Sequence, residues 1–114
     1  MATSVGSLVI ERDKCLKAYN SLALPARAEY FCEVSSVIEI RDALAFATSN
    51  KLSVIPLGAG SNIIFAADQN GLVMQLRLAG IVHEYPEDKR VNTVDVTFSA
   101  GENWHGAVEY CLSN

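Results

Sequence analysis

Apolar and polar positions along the chain change period several times, and each change marks an element. Residues 1–19 carry the weakest pattern. Cys15, Leu16 and Tyr19 fall on one side of a helical spacing, which predicts a short helix over 11–19, and the first ten residues are expected to be loose. Asn20 to Arg27, with Pro25, is read as an extended lead-in, and Tyr30 to Val34 as a strand. Ser36-Val37-Ile38-Glu39 is a capping-box pattern, a Ser followed three residues later by Glu. Val37, Ile40, Leu44 and Ala47 then recur at helical spacing, and the helix is expected to stop near Ser49-Asn50. Leu52 to Leu57 is a short apolar strand. Strand, helix, strand in this order predicts a parallel pair with a right-handed crossover.

Gly58-Ala59-Gly60-Ser61-Asn62 interrupts the apolar run, and Ile63-Ile64-Phe65 resumes it with residues that prefer a strand. Asp68 to Gly71 is read as a turn, Leu72 to Leu76 as a strand, and Gly80 to Tyr85 as another. Pro86 to Arg90 is a charged, hairpin-like loop. Val94, Val96 and Phe98 alternate with Asp95, Thr97 and Ser99, the mark of a half-buried antiparallel strand. After Ala100-Gly101, the residues Trp104, Ala107, Val108, Cys111 and Leu112 recur at i, i+3, i+4, i+7 and i+8, an amphipathic helix with a full apolar face. The sequence stops inside this helix at Asn114, before any cap, so it is expected to be the N-terminal piece of a longer protein.

Composition narrows the function classes. Nine Lys+Arg against 13 Asp+Glu leave a net charge of −4, which speaks against a nucleic-acid or anionic-membrane binder. Half of the 114 residues are hydrophobic, enough for one core but with no run long enough to span a bilayer. The N-terminus lacks the basic and apolar regions of a signal peptide. Cys15, Cys32 and Cys111 are odd in number and widely spaced, which fits idle thiols in a reducing cytoplasm rather than disulfides or a zinc site.

The glycine segment carries the most chemistry. Two glycines one residue apart permit positive φ and close backbone approach, so that successive N–H groups can converge on an anion. Ser61 and Asn62 add side-chain donors. A tight turn between two strands is an equal reading of the same residues. No Lys follows, as a P-loop needs, and the strand-forming Ile63-Ile64-Phe65 follows where a Rossmann loop would open a helix. A phosphate bound here would sit in a loop between strands. The remaining candidates have plainer roles. His105 is expected on the surface or as a cap, His83 in solvent, Trp104 in the core, and Glu102 at a helix start complementing its dipole. Asp68, Glu87 and Asp88 are loop charges. No nucleophile–base pair or metal set can be argued from spacing.

Leu57-Gly58-Ala59-Gly60-Ser61-Asn62-Ile63-Ile64-Phe65 resembles the flavin-pyrophosphate loop of the UDP-N-acetylenolpyruvoylglucosamine reductases, the FAD enzymes called MurB. Asn20-Ser21-Leu22 resembles that family's Asn-Thr lead-in, and Gly71 to Leu76 with Gly80-Ile81 resembles its next strand pair. Ala100-Gly101-Glu102-Asn103-Trp104-His105 resembles its Gly-Ala-Gly-Glu-Asn-Trp-His stretch. The likeness runs over residues 20–114, with the two glycine motifs in the family's order. Ser21 stands where Thr is usual and keeps the hydroxyl. Ala59 stands where Gly or Glu is common, and Ser99 where Gly is usual.

The resemblance implies an α+β, FAD-binding fold of the vanillyl-alcohol-oxidase/p-cresol-methylhydroxylase type, of which this sequence holds only the N-terminal part. It implies an extension over 1–19, a first FAD-binding subdomain over 20–70 and the start of a second over 71–114. Leu57, Gly58, Ala59, Gly60, Ser61 and Asn62 are its implied cofactor-binding residues. The implied activity uses NADPH as hydride donor to reduce UDP-N-acetylglucosamine enolpyruvate to UDP-N-acetylmuramate, for peptidoglycan synthesis in a bacterial cytoplasm. The partner is then that small molecule, with no nucleic acid and no membrane. The family's substrate-binding Arg and Tyr, its proton-donating Ser and its late catalytic Glu fall beyond Asn114, so no catalytic residue is assigned here. Two rivals stand beside this reading: another FAD oxidoreductase of the same fold, such as a hydroxyacid or alcohol oxidase, and a non-catalytic binding module with a glycine turn.

Overall fold

The computed structural model describes residues 2–61 and 63–114. Five strands form one sheet: β1 (Ala2–Val5), β2 (Leu8–Cys15), β3 (Arg27–Val34), β4 (Val54–Leu57) and β5 (Gln69–Leu76), in the spatial order β1-β2-β3-β5-β4. β1, β2 and β3 run antiparallel in turn, while β3, β5 and β4 are parallel. Helix α1 (Val37–Ser49) connects β3 to β4. A second sheet of two antiparallel strands, β6 (Ile81–Glu84) and β7 (Asp95–Phe98), precedes helix α2 (Trp104–Ser113).

The N-terminus departs from the reading of its sequence. The helix expected over 11–19 is absent. Residues 11–15 continue β2, and only Lys17–Tyr19 make a single 3-10 turn. Of the first ten residues, 2–10 belong to a β-hairpin turning at Gly6, with φ +60°. Leu8 and Ile10 point inward and Val9 outward, a period of two too short to outweigh the helical spacing of Cys15, Leu16 and Tyr19.

β3 and β4 are parallel, as the strand-helix-strand order requires, but they are not neighbours. β5 lies between them, pairing Tyr30 with Leu72 on one side and Val54 with the same Leu72 on the other. Leu72–Leu76, expected to open a second unit, is thus the inner strand of the first sheet, and the second sheet starts at Ile81. β5 also begins earlier than expected, at Gln69, inside the presumed turn. The inner position explains why Leu72 to Met74 are all buried, because a parallel inner strand has both faces covered. β4 is the edge strand, where Pro56 forfeits no ladder bond that the sheet needs.

The two faces of the sheet are covered differently. On one, α1 lays Ile40, Ala43, Phe46 and Ala47 over Leu8, Ile10, Cys32, Val34, Leu72 and Met74. The expected stripe shares Ile40 and Ala47 with this face, but Val37 and Leu44 are exposed, because the small Ala43 and Ala47 bring the helix close to the sheet. The capping box is present. Ser36 Oγ accepts from Glu39 N at 3.2 Å, and the Glu39 carboxylate accepts from Ser35 N at 2.9 Å, one residue before the position that a strict box uses.

On the other face no α-helix is packed among the described residues, only the single 3-10 turn at Lys17–Tyr19. Leu16, Ala26, Ala28, Phe31, Leu57, Phe65 and Val73 form a second core beneath two irregular segments, 16–26 and 58–65. The strand expected at Ile63-Ile64-Phe65 does not form: Phe65 plugs this core while Ile64 faces solvent.

α2 also differs from its sequence reading. Asn103 caps it, its side chain accepting from Gly106 N at 2.9 Å. Ala107 is buried, but Trp104 is 81% exposed and Leu112 83% exposed, so Trp104 is not core and the apolar stripe is largely open. α2 leans on the small sheet through Tyr110, whose ring meets Phe98 edge-on with centroids 6.0 Å apart and whose hydroxyl lies 2.7 Å from His83 Nδ1. Glu102 does not serve the helix dipole. Its carboxylate accepts from Gly80 N at 2.7 Å and ties the start of α2 to the start of β6.

Candidate functional site

The loop from Gly58 to Ser61 leaves the C-terminal end of β4, on the side where β3 and β5 also end. In open parallel sheets this is the end at which ligands bind, since the connections diverge there and leave a crevice. Leu57 anchors the loop in the second core. Beyond it, Gly58, Ala59 and Ser61 are exposed and Gly60 is buried. Asn62 lies outside the described residues.

The two glycines are there for different reasons. Gly60 has φ +77°, and a Cβ on it would press into the carbonyl of Tyr19 and lie 2.8 Å from Asn20 Cα. It is glycine because the backbone of residues 19–20 runs directly against it. At Gly58 a Cβ would meet nothing within 4 Å. Open space beside a glycine on a loop is the shape that a ligand can occupy. A concavity of about 300 Å³ lies along the loop from Pro56 to Ser61, with Ile63 at its rim. Among the described residues, no acceptor takes the backbone N–H groups of Ala59, Gly60 or Ser61. These features fit an anionic group such as the pyrophosphate of a dinucleotide, which backbone donors can cradle without a charged side chain.

Asn20 supports this loop from below. It is 7% exposed and satisfies its amide on its own segment. Nδ2 donates to the Leu16 carbonyl at 2.8 Å and to the Leu24 carbonyl at 3.2 Å, and Oδ1 accepts from Leu24 N at 2.9 Å. The side chain therefore cinches residues 16–24 into a closed turn. From that turn Ser21 N donates to the Gly60 carbonyl at 3.1 Å. The Asn20-Ser21 lead-in and the glycine loop, 40 residues apart in sequence, are thus one assembly.

A second crevice opens on the other side of the loop. It is about 310 Å³ and is walled by Tyr19, Gly58, Ala59, Gln75, Arg77 and Gly101. Reasoning from sequence passed over Gln75 and Arg77. The signal was a lone amide in the apolar run Leu72-Val73-Met74-Gln75-Leu76, followed by a cation. Gly101 closes this side. A Cβ there would lie 2.6 Å from the Arg77 carbonyl carbon and from Leu78 N, and Gly101 N donates to the Leu78 carbonyl at 2.9 Å. The structure therefore brings the two glycine motifs to one crevice.

The other sequence candidates lie elsewhere. His105 pairs with Glu109 across one turn of α2 at 3.1 Å on the surface, as expected. Asp68 accepts from Arg27 N at 2.8 Å, and Asp88 pairs with Arg90. Of the thiols, Cys32 is buried against α1, where burial and the nearby Glu39 charge push it up to about 11; Cys111 is exposed. No cluster of three or more His, Cys, Asp or Glu suited to a metal occurs among the described residues.

A family profile described as FAD binding domain matches residues 28–114. Three UDP-N-acetylenolpyruvoylglucosamine reductases illustrate the similarity to characterised proteins. That of Pseudomonas fluorescens Pf-5 is 34% identical over 106 residues, which is 93% of this chain and 30% of the relative. That of Chromobacterium violaceum is 34% identical over 109 residues, 94% and 30% of the two chains. That of Pasteurella multocida is 33% identical over 97 residues, 85% and 27%. The chain spans less than a third of the length of these relatives. A match over three-quarters of the residues, on a parallel-strand crevice with an open glycine loop, shows that the chain belongs to the FAD-binding-domain family, and the relatives it resembles there are the UDP-N-acetylenolpyruvoylglucosamine reductases.

Proposed function

We propose that this chain supplies the FAD-binding part of a UDP-N-acetylenolpyruvoylglucosamine reductase. The observation that carries the reading is the glycine loop itself: open at Gly58, sealed against Tyr19–Asn20 at Gly60, and set at the ends of three parallel strands. Leu57 to Ser61, with Asn62 by resemblance, are the residues that hold the pyrophosphate. Residues 2–76 act as one unit and 81–114 as the start of another, with the cofactor at their junction. The fold is read as the vanillyl-alcohol-oxidase type.

FAD, when bound, would supply the chemistry for hydride transfer between NADPH and UDP-N-acetylglucosamine enolpyruvate. The residues of this chain bind and orient. Backbone N–H groups of the loop offset phosphate charge, and Asn20 holds the loop against movement. Substrate contacts and the proton donor are read as belonging to other parts of the whole enzyme. The product is a precursor for peptidoglycan, made in the bacterial cytoplasm. No helix among the described residues is long and apolar enough to cross a membrane.

The test is made on the full-length protein. It is expected to purify with flavin absorbance and to oxidise NADPH only when the enolpyruvyl substrate is added. Flavin with turnover on hydroxyacids or alcohols instead would favour the oxidase reading, and absence of flavin would favour the binding module.

A further inference from the structure

The crevice beneath the glycine loop has one charged wall, and it is cationic. Gln75, on β5, is 7% exposed, and its amide lies at the crevice surface. Its Nε2 faces the Gly58 carbonyl at 3.5 Å, and its Oε1 accepts from Arg77 Nε at 3.3 Å. One buried amide therefore touches both the glycine loop and the guanidinium. The contact to Gly58 engages a carbonyl that would otherwise present a lone pair to an entering anion. Arg77 also has the Glu33 carboxylate 3.4 Å from Nε. Its two terminal nitrogens have no acceptor among the described residues. In a chain of net charge −4, a guanidinium held in place by a buried amide, with its outer donors free, is a specific arrangement. Its fork suits two phosphate oxygens at once.

We infer that Arg77 is a cofactor-binding residue: its guanidinium, positioned by Gln75, contacts the diphosphate of the dinucleotide in the crevice between the glycine loop and Gly101. The inference rests on the FAD reading above and adds to it the one charged contact that the loop itself lacks. Gly101 fits the assignment, because its missing side chain lets the second unit close directly on the Arg77–Leu78 backbone.

The experiment measures FAD affinity by fluorescence quenching in the full-length protein, at low and high salt, beside the thermal melt of the flavin-free form. Arg77→Gln is expected to weaken FAD about tenfold, the worth of one charge-assisted hydrogen bond. It is also expected to flatten the salt dependence and to leave the flavin-free melt unchanged. Arg77→Lys keeps the charge but not the fork, and is expected to recover the salt dependence and part of the affinity. Equal FAD affinity in Arg77→Gln and wild type overturns this inference and leaves the FAD reading intact. Arg77→Lys with a salt dependence as flat as that of Arg77→Gln also overturns it, since a cation on the diphosphate would then not be the property at work. A wild-type protein that binds no FAD overturns both. If Arg77→Gln fails to fold, Glu33→Gln carries the test: removing the competing carboxylate is expected to tighten FAD, and unchanged or weaker affinity overturns the inference.

Discussion

Gly60 and Asn20 are in backbone contact: a Cβ on Gly60 would lie 2.8 Å from Asn20 Cα and press into the preceding carbonyl. The relationship separates two roles that a glycine-rich loop combines. Gly60 is required by the fold, while Gly58 borders open space.

Substitution of the two glycines should therefore split. Gly60→Ala is expected to lower stability by about 2 kcal/mol or more, since it adds a left-handed backbone cost to a clash with a neighbouring main chain. Gly58→Ala should leave the flavin-free melt within experimental error and weaken FAD. Thermal melts and flavin titration on both variants check this. A Gly58→Ala protein that melts early would show that its side of the loop is not free.

Asn20→Ala removes three hydrogen bonds and leaves the Leu24 N–H and carbonyl to find other partners, while the Leu16 carbonyl keeps Tyr19 N. A loss of about 3 kcal/mol is expected, from the usual cost of orphaned buried polar groups. Flavin affinity should fall with it, because Gly60 rests on the turn that Asn20 closes. Denaturant unfolding with and without FAD measures both effects.

The thiols should react in order of exposure. Cys111 is expected to be modified quickly by a thiol reagent at pH 8 and Cys32 only on unfolding. The folded state keeps Cys32 protonated up to about 11 against an ordinary value of 9.0. Its contribution to stability is therefore complete below pH 9 and is lost as pH rises from 9 towards 11. Cys32→Ala should flatten that part of the stability–pH curve, and a curve identical to wild type would show that the thiol is not the group responsible.

The open stripe on α2 gives opposite expectations for neighbouring residues. Leu112→Lys in the 114-residue chain should leave the melt unchanged and reduce self-association, as the side chain is almost wholly exposed. Tyr110→Phe should cost about 1 kcal/mol through loss of the contact to His83 Nδ1. Light scattering and melts on the two variants separate the surface from the packed side. Trp104 emission should be that of a solvated indole.

Local chemistry was legible wherever one segment settles its own hydrogen bonds. The Ser36–Glu39 cap, the end of α1 near Asn50, the alternation through β7 and the break at Gly58 could all be read directly from neighbouring residues. The glycine loop could be named as a candidate anion site, beside a tight turn, for the same reason, since positive φ and free N–H groups are properties of a few residues. Partnership between distant segments was not legible. β5 sits between β3 and β4 because a sheet is ordered by which strands bury apolar side chains on both faces, and no local spacing encodes that. The hairpin at residues 2–15 is strand rather than helix because β3 offers it an edge. Gln75 and Arg77 came to line a crevice only when folding brought the strand under the loop, with Gly101 closing the same crevice. The residues specify what each segment can do, and the tertiary structure decides which segments meet, because that depends on long-range burial summed over the whole chain.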